Sequence, residues 1–79
     1  MKDRKTFESR VRLLTEVRNH LAADPRWKEH VKEIDDLILK IREILDIPGF
    51  LQDPQLRADL IRLGYLAVSI ISMFFNIHG

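Results

Sequence analysis

Cysteine is absent from the chain, so no disulfide staples the fold and no thiolate serves as nucleophile or metal ligand; a reducing compartment suits such a composition. Glycine and proline are scarce, at three each, which leaves few breaks and no room for a glycine-rich phosphate loop. An excess of either charge is also missing. Thirteen Lys and Arg stand against twelve Asp and Glu, for a net charge of +1, whereas sequence-independent attraction to nucleic acid needs a clear basic surplus. No nucleic-acid partner is expected. The first residues lack an apolar segment of the kind that directs secretion, and a cytoplasmic location is the expectation.

The residue patterns of several chemistries are missing too. There is no G-x-S-x-G and no H-E-x-x-H. His20, His30 and His78 share no spacing. Glu16 and His20 stand four apart and His30 and Glu33 three apart, yet a di-metal carboxylate bundle would require two Glu-x-x-His motifs and further inward carboxylates. The acidic cluster of Glu29, Glu33, Asp35 and Asp36 is interleaved with Lys28, Lys32 and Lys40, the pattern of a solvated, ion-paired helix face. The expectation is therefore a non-enzymatic protein: no catalytic residue, no cofactor-binding or metal site, no cofactor and no small-molecule substrate.

What is present is helical periodicity. With 46% apolar and 32% charged residues the chain reads as one folded domain over 1–79. A chain of this length buries only about 60–65% of its unfolded surface when it folds alone. Asp24-Pro25 and Asp53-Pro54 repeat one start signal, an Asp cap whose oxygen accepts from a free amide of the first turn and a Pro already shaped for the helix. The helices are expected at about 5–22, 25–46 and 54–77. Phe7, Val11, Leu14, Val17 and Leu21 mark the inner face of the first, where Glu8 stands four residues before Arg12 and Arg18 lies at the edge. Trp27, Val31, Ile34, Ile38, Ile41 and Leu45 mark the second, with Leu37 and Ile44 widening the stripe. Pro48-Gly49 ends it, and the apolar connector Ile47, Phe50 and Leu51 is expected to plug the end of the bundle.

The third helix carries Leu56, Leu60, Leu63, Ala67, Ile70, Phe74 and Ile77 at steps of four and three. An offset of 29 residues aligns this stripe with the second, as any two amphipathic helices with the same cap would align. A DNA-recognition helix does not fit, because only Arg57 and Arg62 near its start are basic. Trp27, on the apolar stripe, is expected as a core anchor. Residues 1–12 form the one basic patch, with Lys2, Arg4, Lys5, Arg10 and Arg12 against Asp3 and Glu8, and read as a solvated helix start.

The strongest signal lies at the other end. Residues 63–79 contain no Lys, Arg, Asp or Glu, and their helix has no polar face, so it must be covered on every side. Beyond its stripe it adds Leu66, Val68, Ile71, Met73 and Phe75, and two neighbouring helices cannot reach them all. Together with Phe74 these residues are the expected interface. The fold class expected is all-α, a three-helix up-down-up bundle assembled into a homo-oligomeric helical bundle, a dimer being favoured. The function expected is a protein-interaction module that self-associates or docks a protein partner through this helix. The alternative is membrane association, with the helix inserted in or lying on a bilayer. The charge-free helical stretch from Leu63 to Ile77 reaches about 22 Å against a hydrocarbon core of about 30 Å, which favours the first.

Overall fold

A computed structural model of the chain describes the backbone of residues 2–78 and the side chains of residues 4–76; expectations for the side chains of Lys2, Asp3, Ile77 and His78 lie outside the described residues. The chain forms helix α1 (Lys2–Ala22), a 3-10 turn (Pro25–Trp27), helix α2 (Lys28–Leu45), a second 3-10 turn (Phe50–Gln52) and helix α3 (Pro54–His78). No strand occurs among the described residues. The fold is an all-α, three-helix up-down-up bundle.

Both Asp-Pro pairs start helical segments, in two different ways. Asp53 Oδ1 accepts from the amides of Gln55 at 2.9 Å and Leu56 at 3.3 Å, and α3 follows directly. Asp24 Oδ1 accepts from the Arg26 amide at 3.0 Å, while its other oxygen takes the Arg26 guanidinium at 2.9 and 2.6 Å. That clamp tightens the first turn into a 3-10 segment, so α2 proper begins at Lys28 rather than Pro25. Hydrogen bonds from the Arg26 side chain and amide hold the Asp24 carboxyl below its usual range.

At the other end of the bundle, α1 begins earlier than the apolar periodicity alone indicates. Arg4 ties the added turn down: its Nη1 donates to the Leu45 carbonyl at 3.0 Å, satisfying an acceptor in the last turn of α2, and its Nε donates to Glu8 at 3.1 Å. Glu8 thus pairs backward with Arg4, not forward with Arg12. Arg18 reaches across to Asp35 on α2, at 3.0 and 3.4 Å.

The core is wholly apolar among the described residues. Phe7, Val11, Leu14 and Val17 of α1 meet Ile34, Leu37, Ile38, Ile41 and Leu45 of α2 and Leu60 and Ala67 of α3. Leu37 is buried, not marginal. Trp27 is only half-buried and lies edge-on to His30, with centroids 5.2 Å apart, so it flanks the core. In the connector, the Phe50 amide donates to the Ile47 carbonyl at 3.2 Å across Pro48-Gly49, with Gly49 at φ 72°. Proline followed by a left-handed glycine is the signature of a type II turn. The turn drops Phe50 into the core and Leu51 against it, while Ile47 stays exposed.

α1 and α3 run parallel: Gly64 faces Phe7 and Arg10, and one turn after another the pairing continues to Phe74 against His20. A methyl group on Gly64 would stand 2.7 Å from Arg10 Nη1 and 2.9 Å from Phe7 Cε1. The missing side chain therefore sets how closely the two helices approach. Two substitutions test this account by chemical denaturation. Gly49→Ala should cost about 1–2 kcal/mol through its left-handed φ. Gly64→Val should cost about 1–3 kcal/mol by overpacking against the buried Phe7 ring; a neutral Gly64→Val would contradict the close α1–α3 contact.

Candidate functional site

A 25-residue helix between two neighbours can bury about half its circumference, and α3 divides accordingly. Its inner side holds Leu56, Leu60, Leu63, Ala67, Ile70, Ile71 and Phe74. Its outer side keeps Ile61 53% exposed, Tyr65 72%, Leu66 51%, Val68 42%, Met73 56% and Phe75 56%. Of the six residues expected at an interface, Leu66, Val68, Met73 and Phe75 lie on the open side. Ile71 and Phe74 are partly buried against the core; Phe74 also stacks on His20, with centroids 5.7 Å apart.

The structure adds Ile61 and Tyr65 to that surface. Both precede or begin the charge-free segment, where Arg62 masks the apolar trend, but their spacing reveals them. Ala58, Ile61, Tyr65, Val68, Ser72 and Phe75 follow steps of three and four along one exposed line of the helix. This is a second heptad stripe, turned away from the core. Leu66 and Met73, seven residues apart, are exposed on a separate line of the helix, beyond Arg62 and Ser69.

Along its α1 side the stripe borders a shallow groove floored by Phe7 and Gly64 and walled by Thr6 and Arg10 on α1 and Ile61, Tyr65 and Val68 on α3. Arg10 lies over the Phe7 ring, 5.2 Å from its centroid. Leu13, a turn further along α1, is also part-exposed.

Another open concavity runs between α1 and α2 and carries Arg4, Arg12 and Arg42 against Glu8, Glu16 and Asp46, a face of balanced charge. A small cavity of about 70 Å³ lies beside Trp27, Ile70 and Met73. No three His, Asp or Glu residues converge among the described residues. His20 and His30 each lie against an aromatic ring and on different helices.

One described helix, over Pro54–Asn76, is also long and apolar enough to cross a membrane, and only 17% of its most apolar window is buried inside the bundle.

Comparison of the chain with protein-family models, with curated proteins and with solved structures finds no match.

Proposed function

We propose that this protein is a small non-enzymatic interaction module whose working surface is the outer face of α3. The observation that carries the reading is the line of Ile61, Tyr65, Val68 and Phe75, each more than two-fifths exposed on a helix whose opposite side already fills the core. Isolated exposed apolar residues are ordinary, but a contiguous stripe of them marks a binding surface. Large aromatic side chains at Tyr65 and Phe75 suit the anchor role at such a surface. Removing six half-exposed apolar side chains of each copy from water offers on the order of 10 kcal/mol, the scale needed to offset the cost of association.

A second reading rests on the length and apolar composition of α3 over Pro54–Asn76. Arg57, Asp59 and Arg62 in its first turns would sit at the headgroups while the charge-free remainder, about 22 Å long, enters the bilayer without crossing its roughly 30 Å core.

A charge placed in the outer stripe separates these readings from a self-sufficient monomer. In sedimentation without detergent, the unaltered chain should associate, and Val68→Asp should be monomeric with unchanged helical circular dichroism, because Val68 is part-exposed and lies outside the core cluster. Ile41→Asp, at a fully buried position, should unfold the chain. Association that survives Val68→Asp would refute the surface assignment. A chain that sediments as a monomer yet floats with phospholipid vesicles would put the membrane reading in its place.

A further inference from the structure

Resting on that proposed interaction role, we infer that the occupant of the outer stripe of α3 is a second copy of this chain, bound with its α3 antiparallel to the first. Three features of the stripe select this partner and this direction.

The first is extent. Ile61, Tyr65, Val68 and Phe75 are each more than two-fifths exposed along one line of α3, a run of about 21 Å at the helical rise. A straight apolar line on a helix is matched by the same line on a second copy, as a two-fold interface requires.

The second is the order of side-chain sizes. Along the stripe stand Ala58, Ile61, Tyr65, Val68, Ser72 and Phe75. A parallel pair would stack each residue on itself, crowding Tyr65 on Tyr65 and Phe75 on Phe75 while leaving gaps at Ala58 and Ser72. An antiparallel pair centred between Leu66 and Ala67 sets Ala58 opposite Phe75, Ile61 opposite Ser72 and Tyr65 opposite Val68. Every layer then joins a larger side chain to a smaller one, as dense packing between helices requires.

The third is charge. In a parallel pair the positions flanking the stripe at Arg57 and Arg62, five residues apart, meet across the seam twice, like charge against like. The antiparallel pair carries each Arg62 toward Ser69 of the other copy and leaves the arginines at opposite ends. The axial dipoles of the two helices also oppose one another in that arrangement.

Because the chain has no cysteine, introduced thiols report pairing without background. Ile61→Cys and Ser72→Cys, both at exposed positions, are mixed in equal amounts, oxidised mildly and resolved by mass spectrometry, which separates the two variants by mass. Ala58→Cys mixed with Phe75→Cys provides an independent layer. The mixed disulfide should exceed either homodisulfide at least ten-fold in both pairs. Dominant Ser72→Cys homodisulfide would mean parallel pairing and overturn the inference while leaving self-association intact. Absence of every disulfide from a chain whose mass in solution is that of a dimer would overturn the seam and not the interaction role. Absence of disulfides with a monomeric mass would overturn both.

Discussion

A helix apolar on more sides than its neighbours can cover is the constraint from which the rest of this structure follows. Burying the inner stripe of α3 under α1 and α2 is what makes the bundle: Leu60 and Ala67 are enclosed, and Leu56, Leu63, Ile70, Ile71 and Phe74 are half-enclosed. Two helices have no surface left for the outer stripe. The core of the single chain and the exposed apolar stripe thus lie on different faces of one helix, so the proposed interaction surface is held on a rigid element rather than on a loop.

Several local devices keep that helix in place. Gly64 lets α3 lie close against Phe7 and Arg10 of α1, and the Asp53 cap and the turn at Pro48-Gly49 set where it starts. Arg4 bridges the start of α1 to the end of α2, and Arg18 reaches Asp35 near the middle of the pair. The Arg18–Asp35 ion pair is part-exposed and contributes little to stability by itself. With the Arg4 hydrogen bond to the Leu45 carbonyl it ties α1 to α2 at two points along their length.

Most of the fold was legible because it is written in periodicity and caps. The steps of three and four put Phe7, Val11, Leu14 and Val17 on one face, and the structure buries all four. The connector could be read as a plug because Phe50 is too apolar to be left in water. Less legible was anything that depends on a partner side chain across the bundle. Glu8 was expected to pair with Arg12, four residues on, but pairs with Arg4, whose guanidinium also donates to the Leu45 carbonyl of α2. Ile71 was expected outside the inner stripe and Phe74 both on that stripe and at the interface; the structure packs both partly against the core, Ile71 standing four residues after the buried Ala67. Ile61 precedes the charge-free stretch beside Arg62 and Tyr65 lies inside it next to Gly64; neither stood out by composition, and their heptad spacing with Val68 and Phe75 identifies both. The 29-residue alignment of α2 with α3 likewise dissolves at the level of burial, since Ile34 and Ile41 are fully enclosed whereas Leu63 and Ile70 are not.

The most direct test of the central claim is the absolute mass of the full chain by light scattering after size exclusion, in the absence of detergent and over a range of concentrations. Covering of α3 by a second copy predicts a mass approaching twice 9.3 kDa, dissociating only on dilution. A single-chain mass at every concentration, from protein that stays soluble and helical, would contradict it.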